Sequence, residues 1–184
     1  MTIIYAAATV YVNPPGETPV LSLEQLWKGL ELKVRKPQLF IPVIESCKVL
    51  SDENESVERE VLFKAGSFTS IIHLVDLIAH ISPSGPTSDP VVETITHLPP
   101  VSSEAKSGVE TFAMKGSQSK VLNIVSEGPE GELMLTFTFE WEHKDIEKGS
   151  EKEREKQKGY QSTAPKAAAG TVKAIREMIR KGEL

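Results

Sequence analysis

The chain has a single cysteine, Cys47, among 184 residues. No intramolecular disulfide can form, which fits a reducing compartment and a cytoplasmic protein. Cys47 sits in the apolar run from Pro42 to Leu50. It reads as a small packed hydrophobe and not a nucleophile, since free cysteines are usually buried and inert. No stretch comes near the ~18 uninterrupted apolar residues of a spanning helix, so no membrane association is expected. The segment from Met1 to Ala8 lacks a basic lead-in and reads as a strand, not a signal peptide. Basic charge is not in excess: 21 Lys and Arg face 26 Asp and Glu, for a net charge of −5. That balance leaves no electrostatic footprint for nucleic acid. A Gly-rich phosphate loop, zinc-ligand spacing, a Gly-x-Ser-x-Gly elbow and a dinucleotide fingerprint are all missing. Any chemistry must come from side chains in a pocket, with no cofactor.

Aromatic residues are few, at 6%, yet three stand in one stretch. From Leu133 to His143, Leu133, Leu135, Phe137, Phe139 and Trp141 alternate with Met134, Thr136, Thr138, Glu140 and Glu142. This is the period of a strand. A strand so long and aromatic needs an apolar partner of matching length. The C-terminal segment offers one, with Ala168, Val172, Ile175, Met178 and Ile179 at helical spacing and Ala164, Ala167 and Ala169 small beside them. A long strand and a long helix of this kind predict a curved sheet gripping a helix, a shape that encloses a cavity.

The rest of the chain falls between turn signals. Residues 2–12 read as a strand stopped by Asn13-Pro14-Pro15-Gly16. Ser22 and Gln25 form a capping box for a helix carrying Leu23, Leu26, Trp27, Leu30 and Val34, which Pro37 ends. A second short helical turn covers Gln38 to Ile41. Strands follow over Val43–Leu50, Val57–Lys64 and Val91–Leu98, then a hairpin of Val109–Met114 with Lys120–Ser126, then the long strand. Asp145 to Lys158 is dense in charge and reads as the solvated start of the last helix or a loop into it. Pro165 reads as a first-turn residue or a kink. The order of elements is that of an α+β protein, taken as one domain over 1–184 with a possible insert at 67–89. In that insert His73, Asp76 and His80 share a helical face. They read as the polar edge of an amphipathic piece and not as metal ligands. The apolar content of Ser70 to Ile81 suggests a homodimer contact.

Strand periodicity nominates polar side chains on apolar faces. Arg59 goes with Val57, Val61 and Phe63; Glu93 with Val91 and Ile95; Asn123 with Val121 and Val125. A buried charge is costly unless paired. Arg59 is therefore expected to face a carboxylate, with Glu93 first choice and Glu45 second, or a ligand oxygen. An Arg59–Glu93 pair that is merely structural, and a strand phase that puts these charges in solvent, both stay open. His73, His80 and His97 are assigned to surface or edge positions, with the mouth of a cavity as the alternative for His97.

Several short motifs resemble one family. They are Asn13-Pro14-Pro15-Gly16, Leu26-Trp27-Lys28-Gly29-Leu30, Lys33-Val34-Arg35-Lys36-Pro37, Phe40-Ile41-Pro42-Val43-Ile44 with Cys47, and Arg59-Glu60-Val61. Further along come Asn123-Ile124-Val125-Ser126, Phe139-Glu140-Trp141 and Asp145-Ile146-Glu147-Lys148-Gly149-Ser150. Together they resemble a family of unknown-function domains in the START-like, helix-grip (SRPBCC) superfamily, some members of which lie in fungal secondary-metabolite clusters. The motifs are similar to those of its pyrone-forming cyclases of aurovertin-type pathways and of its acetylaranotin-cluster relative. The resemblance implies about seven antiparallel strands curved around a long C-terminal helix, with two short helices after the first strand. It also implies a polyketide cyclase that lactonises a linear polyketide to an α-pyrone, or a non-catalytic carrier of an apolar metabolite or lipid. On that reading Arg59, Glu93 and Asn123 are catalytic, and Glu45, Phe63, Phe137, Phe139, Trp141 and Ala168 bind substrate. A polyketide synthase or its carrier domain is the implied protein partner.

Overall fold

Alternation in the sequence becomes alternation in burial. In the computed structural model, which describes residues 1–64, 90–101 and 107–184, β3 (Ser56–Phe63) buries Val57, Arg59, Val61 and Phe63 and leaves the residues between them half-buried. The strand β7 (Leu133–His143) does the same with Leu135, Phe137, Phe139, Trp141 and His143. The other strands are β1 (Thr2–Tyr11), β2 (Ile44–Glu53), β4 (Val91–Leu98), β5 (Gly108–Met114) and β6 (Lys120–Glu127). Among the described residues these seven form one sheet in the order β1-β7-β6-β5-β4-β3-β2. All neighbours are antiparallel. The β2–β3 turn is shorter than the polar run suggested. Asn54 and Glu55 both take positive φ, 50° and 62°, as a two-residue type I′ hairpin requires, so both strands extend up to them.

Helix α1 (Leu23–Arg35) starts at the expected capping box. The Gln25 amide donates to Ser22 Oγ at 3.1 Å, and the Ser22 amide donates to Gln25 Oε1 at 2.9 Å. One 3₁₀ turn, Pro37–Leu39, follows. Helix α2 (Glu151–Lys181) begins at the Ser150 cap and ends on Gly182 in the left-handed conformation, as helix ends favour. The charged run is thus the exposed first part of α2. Pro165 lies in mid-helix on its exposed face, not in the first turn. The backbone carbonyl it leaves without a helical partner is on the side facing water.

The stripe at 164, 168, 172 and 175 is buried against β1 and β7, and α2 also meets α1. At that crossing a Cβ on Gly29 would lie 2.5 Å from Cδ1 of Ile175. Glycine is what lets the two helices approach. This is the α+β helix-grip architecture. Because α2 leans on the β1–β7 end, the inner faces of β3 to β6 are met, among the described residues, by the end of α1, the segment after it and one side of α2. A cavity remains between them. The 67–89 insert, with His73, Asp76 and His80 and the suggested dimer contact, lies outside the described residues. Among the described residues no helix is long and apolar enough to cross a membrane.

Candidate functional site

The cavity has a volume of about 130 Å³. Its floor is the aromatic ladder of β7. Phe137 meets Phe139 edge-on with centroids 6.2 Å apart, and Phe139 stacks on Trp141 at 6.0 Å. Phe63 of β3, expected in the pocket, lines it too. The ladder ends at His143, whose Nε2 lies 2.9 Å from the Tyr160 hydroxyl on α2. That contact locks the strand end to the helix.

Register places the polar groups. Arg59 on β3 stands directly opposite Glu93 on β4. Its Nε donates to Glu93 Oε2 at 2.8 Å, and Nη2 lies 2.6 Å from the same oxygen. Nη1 donates to the backbone carbonyls of Lys33 (3.2 Å) and Val34 (2.5 Å). Those carbonyls belong to the last turn of α1, where no intrahelical donor reaches them. Four of the five guanidinium N–H groups are therefore spent, and the Arg59–Glu93 pair pins α1 to the sheet. Glu93 Oε1 has no partner among the described residues. Both side chains line the cavity.

A second row crosses the sheet, with His97 of β4, Glu110 of β5, Asn123 of β6 and Phe137 of β7 in mutual register. Asn123 Nδ2 donates to Glu110 Oε2 at 2.8 Å, and His97 Nδ1 lies 3.3 Å from Glu110 Oε1. Asn123 faces the cavity, with Glu110 and His97 behind it. Asn123 Oδ1 and the Trp141 indole N–H are buried and have no partner among the described residues. Since a buried indole N–H usually finds an acceptor, these two atoms are available to a ligand.

The sequence reading missed Lys33. It is 8% exposed and lines the cavity. Its ammonium sits over the Phe137 ring, 4.2 Å from the centroid. It makes no hydrogen bond or ion pair among the described residues. Burial pushes its pKa down to about 8, a shift that Glu110 opposes, Arg59 adds to and Glu93 opposes in turn. The signal was present, since Lys33 lies three residues after Leu30 and seven after Leu26 on the buried face of α1.

Glu110 was also missed, although it shares the buried face of β5 with Phe112 and Met114. His97 is not a surface or edge residue. It is 6% exposed and shares the inner face of β4 with Glu93 and Ile95. Two expected binding residues lie elsewhere. Glu45 is exposed, one step out of phase with Ile44, which faces the cavity. Ala168 is fully buried in the β1–β7 contact, while Ala167, Gly170 and Thr171 on the adjoining face of α2 line the cavity. Cys47 is half-buried, and burial raises its thiol pKa, so it is not a thiolate. Among the described residues no three His, Cys, Asp or Glu side chains group as metal ligands would.

Comparison with known proteins gives a consistent picture. The sequence model of the family described as "AtaL: Acetylaranotin biosynthesis cluster protein L" matches residues 6–182. The chain is 26% identical over 180 residues to acetylaranotin biosynthesis cluster protein L of Aspergillus terreus, covering 97% of this chain and 91% of that one. Among solved structures it is similar in fold to a Staphylococcus aureus protein of unknown function, SA2116. That TM-score is 0.55 at 10% identity, with 98% and 97% of the two chains covered. It is also similar in fold to the Zhui aromatase/cyclase from Streptomyces sp. R1128, with a TM-score of 0.51 at 9% identity and coverage of 98% and 95%.

Proposed function

The chain belongs to the acetylaranotin biosynthesis cluster protein L family, and on that footing we propose that it binds a polyketide-type acyl chain and closes its reactive end to an α-pyrone. The observation that carries this reading is a small apolar cavity lined by the Glu93 carboxylate and bordered by two buried polar atoms without a partner among the described residues, Asn123 Oδ1 and Trp141 Nε1. Its volume of about 130 Å³ suits one ring, since a cavity near 150 Å³ accommodates benzene. It is below the ~300–1,000 Å³ of pockets that enclose a drug-sized molecule. The ring-forming end of the ligand therefore occupies the cavity, and the remainder of the acyl chain extends from it.

In the proposed step Glu93 Oε1 takes the proton of the δ-enol hydroxyl. The enol oxygen forms a bond to the C1 thioester carbonyl. The resulting oxyanion is met by the one uncommitted N–H of Arg59 and the second amide N–H of Asn123. Collapse breaks the C–S bond, and the departing thiolate takes the proton back from Glu93. The aromatic ladder supplies area and holds the two reacting ends together, a contribution that depends on geometry more than on charge.

A binding-only role is the second reading. What favours it is that Arg59 and Asn123 spend most of their donors within the protein. One experiment separates the two: turnover of a linear triketide thioester with an unsaturated tail, followed by mass spectrometry, for wild type, Glu93→Gln and Arg59→Ala. A cyclase makes pyrone above the spontaneous rate and loses ~10²–10⁴-fold in Glu93→Gln, while ligand binding survives. Retention of the compound without acceleration overturns the cyclase and leaves a carrier.

A further inference from the structure

We propose that the cavity selects ligands bearing an ionised oxygen, an enolate or a carboxylate, and that Lys33 is the residue that makes the selection. This deepens the small-molecule reading above and rests on it.

Four charged side chains meet around the cavity. Arg59 and Glu93 answer each other. Glu110 accepts the Asn123 amide on one oxygen, while its other oxygen, 3.3 Å from His97 Nδ1, has no hydrogen-bond partner among the described residues. The Lys33 ammonium faces only a ring. An ammonium carries three donors and no acceptor capacity, and here none of the three reaches an acceptor. A cation buried that way is costly, and the face of Phe137 offsets only part of the cost.

The residue is nevertheless held firmly. Arg59 grips its backbone carbonyl and that of Val34, so the side chain enters the cavity from a fixed point. An anionic oxygen beside Nζ would supply the missing acceptor and the missing charge. A neutral ligand would leave the cost in place, and a cationic one would add repulsion. The opposite side of the site carries acceptors, Glu93 Oε1 and Asn123 Oδ1, which favour a hydroxyl. The ligand is thereby oriented, with its ionised oxygen towards α1 and its protonated oxygen towards β4 and β6. The charged groups bearing on Lys33 are Arg59 from β3, Glu93 from β4 and Glu110 from β5. Its lowered pKa means that the positive charge, and with it the selection, is lost on mild alkalinisation.

The test uses 4-hydroxy-6-methyl-2-pyrone, a vinylogous acid ionised at neutral pH, and its 4-methoxy ether, a neutral molecule of nearly the same shape. Binding of each to the full chain is measured by calorimetry up to millimolar ligand. For wild type at pH 7 the acid is expected to bind at least about tenfold more tightly, the size of one charge-assisted hydrogen bond. The preference should shrink between pH 7 and pH 10 while ether binding stays level. In Lys33→Met the preference should vanish with ether affinity unchanged and Tm no lower than wild type, which separates lost recognition from lost folding. Equal binding of acid and ether by wild type overturns the proposal but keeps the cavity as a ligand site. So does a preference that survives in Lys33→Met. Failure of wild type to bind either compound overturns this proposal and the function proposed above together.

Discussion

Lys33 also fixes how stability responds to pH. Its pKa is about 8 in the fold against an ordinary 10.5. Between those values the unfolded chain holds a proton that the folded chain has released, so stability rises with pH across that window. Below about 8 both states carry the charge and the full burial cost stands. Above 10.5 neither does. The gap corresponds to a cost on the order of 3 kcal/mol. Urea unfolding of wild type and Lys33→Met at pH 7 and pH 10 should show the variant as stable or more stable at pH 7, with its advantage shrinking at pH 10. An advantage that widens with pH would refute the desolvation account. At this scale the sequence was legible where period two applied: Arg59, Glu93 and Asn123 all line the cavity as their strand phase required. It could not choose Glu93 over Glu45 as the partner of Arg59 by more than preference, because that choice is made by cross-strand register and by which way β2 turns out of Ile44. Glu110 and His97 obey the same alternation. Reading them required knowing that two polar residues on neighbouring strands stand opposite each other.

Among the elements, the meeting of α1 and α2 makes a tight demand on the chain. Gly29→Ala gains about 1 kcal/mol of helix propensity but pushes a methyl group into Ile175, and overpacking of that kind costs ~1–3 kcal/mol. The clash should win. The variant should be destabilised in urea, and Gly29→Ala with Ile175→Ala should be less destabilised than the sum of the two single changes, a coupling of about 1 kcal/mol. Purely additive effects would mean that the helices slide apart at no cost. Helix starts were readable from the Ser22–Gln25 box. Of the two readings of Pro165, a first turn or a kink, the first turn fails, because an exposed position in a long, well-anchored helix tolerates the residue. Ala168 likewise admitted two readings. Its small size fits close packing as well as a ligand, and the structure uses it to seat α2 against β1 and β7.

For the whole molecule, two segments carried the architecture: the strand 133–143 and the helical stripe after it together implied a sheet wrapped on a helix. What they could not convey was the lean of α2 towards β1 and β7, which decides where the cavity opens between the layers. That lean follows from a pairing no local pattern reveals, with Thr2 opposite His143 and Tyr11 opposite Met134. On a ribosome this pairing imposes a wait. The ten residues of β1 emerge before β7, contain no charged side chain and no proline, and have the make-up of an aggregation-prone window. Their hydrogen-bonding partner is complete only about 7 to 26 seconds later at ordinary elongation rates of ~5–20 residues per second. Through that interval the nascent chain presents a sticky, unpaired strand, and its successful production depends on whatever shields those residues until β7 arrives.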